Sequence, residues 1–259
     1  MLYYLCSLLR DGLGPLRVFQ YPSFRVPAAA LSALVLTLWL FPRCIALLRQ
    51  RQGGRTEVRE DTPAAHQKKR GTPTMGGLII LLVVAICTGL WADLSNLYVW
   101  TLLGVLVGFG AIGFSDDYLK ITKKNSRGLP GKQKLAWQLV VLAALTGFLV
   151  LAQSSWWPAA HLSIDTRLSL PFVAVRWFHP DLGWAYVPFA WLVIMGTSHA
   201  VNLTDGLDGL AIGPVIVSSA TFLLLAYLAG LVLSFNANGT WVDFNVADYL
   251  NMPHIEGSS

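Results

Sequence analysis

Residues 98–115 read YVWTLLGVLVGFGAIGFS and are followed directly by Asp116 and Asp117. As a helix, this uncharged run nearly crosses a hydrocarbon core that is roughly 30 Å thick. A continuous apolar run also favours a helix over a strand, because backbone exposed to lipid must satisfy its hydrogen bonds within the segment. The stretch therefore predicts a membrane-spanning helix that ends at an acidic pair.

The same pattern recurs along the chain, in which 54% of the 259 residues are hydrophobic and only 13% are charged. Such a composition is far more apolar than that of an ordinary soluble domain. We predict an all-α polytopic membrane protein, with residues 1–259 forming a single membrane domain. The predicted spans are residues 26–48, 75–92, 98–115, 135–152, 184–203 and 210–235, and the predicted cytoplasmic loops are residues 49–74, 116–134 and 204–209.

Basic residues predict the orientation of these spans. Of the 19 Lys and Arg residues, eight lie between Arg43 and Arg70 and six lie between Lys120 and Lys134. Because Lys- and Arg-rich loops stay in the cytoplasm, the N-terminus is expected on the outer side of the membrane. The three predicted loops at residues 49–74, 116–134 and 204–209 are expected on the inner side. The net charge of +5 is then a topology signal, and we predict a membrane partner and no nucleic acid.

Asp116 and Asp117 form the first of three polar segments that this topology places on the cytoplasmic face. They can be read as ordinary solvated acids at a membrane boundary. Acids at a helix C-terminus, however, meet the negative end of the helix dipole, so a positive group should offset the repulsion. Lys120, Lys123 and Lys124 could do so, and so could a divalent cation or a proton that is to be moved.

The second polar segment is KRGTPTMGG, from Lys69 to Gly77, at the start of the second span. It can be read as a positive anchor before a helix that begins with Pro73. Its hydroxyl groups and glycines instead favour a phosphate site, because exposed backbone N–H groups at a helix N-terminus suit an anion. The residues alone leave both readings open.

The third polar segment is NLTDGLDG, from Asn202 to Gly209. A charge at the membrane centre costs roughly 3 kcal/mol, so acids in such a place usually face a cavity, a partner or a substrate. Asp205 and Asp208 would share one face of a helical turn, and glycines beside them let backbone approach a ligand. Capping of the sixth span by Asn202, Thr204 and Asp205 is the alternative.

A GxGxxG pattern runs from Gly108 to Gly113, but it lies inside a membrane run with no strand before it. This context does not fit a dinucleotide-binding loop. Gly104 and Gly108 have the GxxxG spacing, which instead predicts close packing between helices.

The three segments together resemble the signatures of the bacterial phospho-N-acetylmuramoyl-pentapeptide transferases. The resemblance rests on Lys69–Gly77, on FSDDY from Phe114 to Tyr118 and on Asn202–Leu210, and it extends over nearly the whole chain. It implies the transfer of phospho-MurNAc-pentapeptide from UDP-MurNAc-pentapeptide to undecaprenyl phosphate, which yields lipid I and UMP. This is the first membrane step of peptidoglycan synthesis, at the bacterial inner membrane, with Mg²⁺ as cofactor.

Site residues follow from the same resemblance. It implies that Asp116 and Asp117 are the catalytic acids, one of which takes the proton from the lipid phosphate or acts as a covalent nucleophile. It implies that Asn202 lies near the Mg²⁺. The residues that it implies for the nucleotide-sugar pocket are Lys69, Thr74, Lys134, Asp205, Gly206 and Asp208.

The chain also departs from the family pattern. Ser198-His199-Ala200 stands where the family reads Gly-Asn-Ala, and we assign His199 no catalytic role because a lone His on an apolar helix is usually a packed residue. Family members have ten spans, so six spans predict part of a longer enzyme. Alternatives are a polyprenyl-phosphate GlcNAc-1-phosphate transferase and a six-span transporter, and two copies could associate as a homodimer.

Overall fold

The structure is a computed structural model that describes residues 2–9, 17–19, 21–52, 75–123, 128–152, 166–168, 173, 177–205, 210–237 and 240–250. The chain forms two compact units, Met1–Leu162 and Ser163–Ser259, and each is described by itself. The first unit is helical in its described part. Its helices are α1 (Leu2–Leu9), α2 (Pro22–Gln52), α3 (Gly77–Trp91), α4 (Leu97–Lys123) and α5 (Gly131–Leu151).

Helix α2 packs against one face of α3. The buried residues of that face are Ile79, Val83 and Cys87, which are four residues apart and so lie one above another on a helix. The residues of α2 that pack against them are Ala33, Leu36, Leu40, Phe41 and Cys44. Most other apolar side chains of these helices remain exposed, as lipid-facing surfaces do.

Small residues set the contact between α4 and α5. A Cβ atom on Gly104 would lie 2.5 Å from Leu145 Cδ2, and one on Gly108 would lie 2.5 Å from Val141 Cγ1. The later glycine of α4 meets the earlier residue of α5, so the two helices are antiparallel. The packing role predicted for Gly104 and Gly108 is confirmed, since a Cβ atom at either position would meet a side chain of α5.

The N-terminal helix is held at the turn between α3 and α4. The Tyr4 hydroxyl donates to Asp93 Oδ1 at 3.0 Å, and the Ser95 hydroxyl and backbone N–H donate to the same oxygen at 2.7 and 2.9 Å. Partial burial raises the pKa of the Asp93 carboxyl, but the hydrogen bonds from Ser95 and Tyr4 and the charge of Arg25 outweigh it. The net pKa of Asp93 is therefore lower than usual.

The second unit contains two helices and a β-hairpin. A 3₁₀ turn at Gly183–Ala185 leads into α6 (Tyr186–Thr204), which is followed by α7 (Ile212–Ala229). The antiparallel strands β1 (Val232–Ala237) and β2 (Thr240–Asn245) then precede the short helix α8 (Val246–Tyr249).

Four described helices are long and apolar enough to cross a membrane, namely Pro22–Arg51, Leu97–Lys123, Gly131–Leu151 and Ile212–Ala229. The predicted helical, polytopic architecture is confirmed. Helix α3 is apolar but has 15 residues, or about 22 Å, and the residues just before it lie outside the described ranges. Helix α6 has 19 residues and is not among the four, since its second half carries Thr, Ser, His and Asn.

Among the boundaries that differ from the predicted ones, two change what the segment is. Helix α4 continues to Lys123, so Asp116 and Asp117 lie on a helix and not in the loop predicted for residues 116–134. Helix α7 ends at Ala229, and the last residues of the span predicted for 210–235 belong to β1. An alternating pattern from Val232 to Asn236, followed by Asn238-Gly239, is the sequence signal for a hairpin that the hydropathy of the run concealed.

Substitution of Gly108 tests the α4–α5 contact. Gly108→Ala should destabilise the protein by about 1–3 kcal/mol, because the branched side chain of Val141 has a stiff χ1 angle and cannot move aside. Gly104→Ala should cost less, because its neighbour is the flexible end of Leu145. The measurement is thermal unfolding in detergent. Gly113→Ala is the matched control, since nothing lies within 4 Å of its Cβ position, and equal losses in all three variants would contradict this account.

The pH dependence of stability tests the Asp93 contact. A carboxyl whose pKa is lowered by folding stabilises the protein above its unfolded pKa of about 3.9, and this contribution disappears as the pH falls through the lower, folded value. The difference in melting temperature between the wild type and Asp93→Asn should be constant from neutral pH to about pH 5 and should shrink below about pH 4. A difference that is independent of pH would show that the charge of Asp93 is irrelevant.

Candidate active site

Asp116 lies on the last two turns of α4 and is the most enclosed acid of the site, with its side chain 13% exposed. Its Oδ2 lies 2.7 Å from Lys120 Nζ, one helical turn further on, and 4.0 Å from Lys134 Nζ on the first turn of α5. Its Oδ1 accepts a hydrogen bond from the Leu129 backbone N–H at 2.7 Å. Both oxygens are thus occupied by donors, which favours the ionised carboxylate.

Asp117 has a different environment, although it is the next residue. Its side chain is 38% exposed, and its Oδ1 accepts a hydrogen bond from Lys120 Nζ at 3.1 Å. Lys120 therefore bridges the two carboxylates and offsets the repulsion between them. Asp117 keeps more of its surface open to a ligand than Asp116 does.

The residues near the pair confirm one expectation and add others. Lys120 is one of the three lysines expected to offset the negative charge, and it contacts both acids. Gly128 and Leu129 were not predicted. The only sequence signal for them is the Gly-Leu-Pro-Gly turn at residues 128–131, which does not reveal that it folds back onto Asp116.

Gly128 meets two requirements that a larger residue cannot meet. Its φ is +57°, in the left-handed region that glycine adopts without steric cost. A Cβ atom there would overlap Asp116 Oδ1 and would lie 2.8 Å from Lys120 Cε. This lets the turn close over the carboxylate, so that the following N–H reaches it.

The second unit carries Asn202 and Asp205 at the end of α6, and both are exposed. Asp205 is the C-terminal cap residue of α6, with its backbone N–H donating to the Val201 carbonyl at 2.9 Å. Helix α7 has Ala211 at its N-cap, with no hydrogen bond from a capping side chain. Among the described residues, the capping alternative for the Asn202 segment is therefore not realised.

His199 lies one turn before Asn202 on α6. Its Nε2 is buried and has no hydrogen-bond partner within the described ranges. That His199 has no catalytic role stays a prediction.

Four predicted site residues, Lys69, Thr74, Gly206 and Asp208, lie outside the described residues. At the edge of the first of these segments, Met75 takes a φ of 72° immediately before α3, an uncommon conformation for a residue with a side chain. In the first unit, Lys134 Nζ lies 4.0 Å from Asp116 Oδ2, and Asp117 is the next residue on the same helix.

Metal ligands are sparse in the part of the chain that the structure describes. No three His, Cys, Asp or Glu side chains come together there. Mg²⁺ needs fewer protein ligands than that, because it is commonly held by one or two carboxylates together with substrate phosphates. The half-exposed carboxylate of Asp117 fits this role better than Asp116, whose oxygens already face Lys120 and a backbone N–H.

Comparison with known proteins identifies the family of the chain. A family model for glycosyl transferase family 4 matches residues 99–239, and a model for phospho-N-acetylmuramoyl-pentapeptide-transferase signature 1 matches residues 69–81. The chain is 50% identical over 264 aligned residues to the phospho-N-acetylmuramoyl-pentapeptide-transferase of Anaeromyxobacter sp. (strain K), with all of this chain and 67% of the relative covered. The chain belongs to the phospho-N-acetylmuramoyl-pentapeptide-transferase family.

Other members of the transferase family give the same result. The Myxococcus xanthus (strain DK1622) protein of that name is 51% identical over 240 residues, which are 90% of this chain and 61% of that protein. The Desulfotalea psychrophila (strain LSv54 / DSM 12343) protein is 46% identical over 258 residues, which cover 100% of this chain and 65% of that protein. The chain thus spans about two thirds of the length of these transferases, and the predicted family is confirmed.

Gly128→Ala tests whether this turn needs glycine. It should lower stability by at least about 1–2 kcal/mol, because alanine is strained at this φ and its Cβ meets Asp116. Gly131→Ala, three residues on, is the control, since its Cβ position has no neighbour within 4 Å. Thermal unfolding in detergent compares the two. Equal melting temperatures would mean that the turn does not close over Asp116.

Proposed function

We propose that this chain carries out the reaction that gives its family its name. Phospho-MurNAc-pentapeptide would be transferred from UDP-MurNAc-pentapeptide to undecaprenyl phosphate, yielding lipid I and UMP. The observation that carries the proposal is the Asp116–Asp117 pair, bridged by Lys120 near the C-terminal end of a helix that is long and apolar enough to cross a membrane. It is supported by the 50% identity to transferases of this name.

In this reaction an oxygen of the lipid phosphate attacks the phosphorus that carries the sugar, and the bond from that phosphorus to UMP breaks. The attacking phosphate is a better nucleophile once it has lost its proton. A carboxylate of the pair would accept that proton. Lys120 would offset the negative charge of both acids, because it lies within 3.1 Å of each.

The surroundings of the two acids suggest different contributions. Asp116 is enclosed and bound by Lys120 and the Leu129 N–H, so its loss should also disturb the turn before α5. Asp117 is half-exposed, so its loss should affect chemistry more than folding. Direct attack by the lipid phosphate and a covalent intermediate on an acid remain the two routes that the residues allow.

Lys134 would serve the nucleotide-sugar substrate. Its side chain is only 17% exposed and lies 4.0 Å from Asp116 Oδ2, which places a positive charge beside the acids. A diphosphate entering the site would be attracted by this charge. Lys69, Thr74, Asp205, Gly206 and Asp208 are proposed for the same substrate, on the resemblance of their segments to the family.

We propose Mg²⁺ as the cofactor. The half-exposed carboxylate of Asp117 would hold it, together with phosphate oxygens of the substrate. That Asn202 lies near the ion stays a prediction from the resemblance to the family. When bound, the ion would neutralise the diphosphate and stabilise the departure of UMP.

The site would face the cytoplasm of a bacterial inner membrane, with the N-terminus outside, as the basic loops predict. Association of two copies stays a prediction. The muramoyl signature at residues 69–81 favours a MurNAc substrate over the GlcNAc-1-phosphate alternative, and family membership disfavours a transporter.

Asp→Asn substitutions test the proposed reaction. The assay measures UMP released from UDP-MurNAc-pentapeptide in vesicles with undecaprenyl phosphate and Mg²⁺. It uses this chain and, as a positive control, the transferase of Anaeromyxobacter sp. (strain K). Asp117→Asn should lower turnover by about 100-fold or more with little change in melting temperature, whereas Asp116→Asn should lower both.

Asp243→Asn, in the β-hairpin, is the matched control and should retain activity. Release of UMP with UDP-GlcNAc but not with the muramoyl substrate would support the GlcNAc alternative. Turnover that is unchanged in Asp117→Asn would remove this residue from the mechanism.

A further inference from the structure

The β-hairpin of the second unit has one apolar and one polar face. Leu233 and Phe244 are directly paired across the strands, and Val242 lies two residues from Phe244, so these three side chains point to the same face. Ser234 and Asp243 are paired on the opposite face, where the serine hydroxyl donates to Asp243 Oδ1 at 2.5 Å. Val232, which is 41% exposed, lies on this second face too, together with the polar residues Asn236 and Asn245. The first face is therefore the more apolar of the two, and the hairpin is amphipathic.

Among the described residues of the second unit, the side chains of the apolar face are more exposed than core residues are. Leu233 is 49% exposed, Val242 is 41% exposed and Phe244 is 37% exposed. Tyr249 extends this surface, since its ring lies 5.6 Å from that of Phe244 and its side chain is also exposed. Three apolar side chains and an aromatic ring thus form one exposed patch.

The hairpin is fixed at the end of a membrane span. Ala229 ends α7, and β1 begins three residues later, within about 10 Å along the chain. The Val246 N–H donates to the Leu231 carbonyl at 3.1 Å. Ala247 of α8 is fully buried, and Ala229 is nearly so, because α8 packs against α7. The patch therefore lies close to the boundary between hydrocarbon and water.

Charge indicates which surface the patch fits. Residues 230–250 contain no Lys or Arg and two Asp, so this segment has nothing to attract anionic headgroups. Its apolar and aromatic side chains are the kind that enter the boundary between headgroups and acyl chains. The carboxylate of Asp243 lies on the other face, where it can stay in water.

We propose that the apolar face of the hairpin, formed by Leu233, Val242 and Phe244, rests on the lipid surface beside α7. The partner is the uncharged acyl and glycerol region of the leaflet in which α7 ends. The exposed apolar surface of the span then continues onto the hairpin, and the polar face points to water. This contact is independent of the transferase reaction.

Fluorescent labels on neighbouring residues test the proposal. Cys6, Cys44 and Cys87 are first replaced by Ala, and the labelled chain is compared with the parent by its melting temperature. Leu233→Cys and the adjacent Ser234→Cys then carry an environment-sensitive NBD label on opposite faces. Val242→Cys is a second apolar-face position, in case Leu233→Cys does not fold. The protein is reconstituted in phosphatidylcholine vesicles, with or without a lipid that carries a nitroxide near its glycerol backbone.

The labels at positions 233 and 242 should emit at shorter wavelength and be quenched several-fold more by the nitroxide lipid than the label at 234. The label at 234 should instead be quenched by aqueous iodide. Equal quenching of both faces by iodide would overturn the proposal. A blue-shifted label that the nitroxide lipid does not quench would also overturn it, because protein and not lipid would then cover the face.

Discussion

The close contact between α4 and α5 is the constraint on which the first unit depends. Gly104 and Gly108 let the helices approach in antiparallel fashion, so the end of α4 and the start of α5 lie side by side. That arrangement places Asp116 beside Lys134 and lets the backbone N–H of Leu129 donate to the Asp116 carboxylate. In a membrane, where apolar contact with lipid is as favourable as contact between helices, such close van der Waals packing is a principal source of specificity.

Placing two adjacent carboxylates at a membrane boundary is unfavourable unless positive charge accompanies them. Lys120 supplies it from the same helix, because residues three and four positions apart lie on one face. The result is asymmetric. Asp116 is enclosed by donors, whereas Asp117 is left half-exposed, so two identical side chains at adjacent positions acquire different chemical environments. This asymmetry gives a phosphate-transfer site both a fixed acid and an accessible one.

Much of the fold could be read from hydropathy, because a membrane helix must be a long apolar run. Hydropathy did not reveal where α4 and α7 end. The acids and lysines from Asp116 to Lys123 suggest a loop by their polarity, yet the helix continues, since its far end lies beyond the hydrocarbon and can be solvated. After Ala229 the run stays apolar, but the spacing of its apolar residues changes from that of a helix to that of a strand. Mean hydropathy is an average over the run and is insensitive to this spacing.

The sequence by itself determined the class of the protein and its family, and it singled out Asp116 and Asp117 as candidates, because these depend on composition and on short contiguous motifs such as FSDDY and KRGTPTMGG. Only the tertiary structure decided that Lys120 bridges both acids, that Gly128 must lack a side chain and that the hairpin has an apolar face. Each of these depends on atoms that are brought together by packing or by strand register. Distances between residues as far apart as Asp116 and Leu129 are set by how helices pack, which local sequence does not encode.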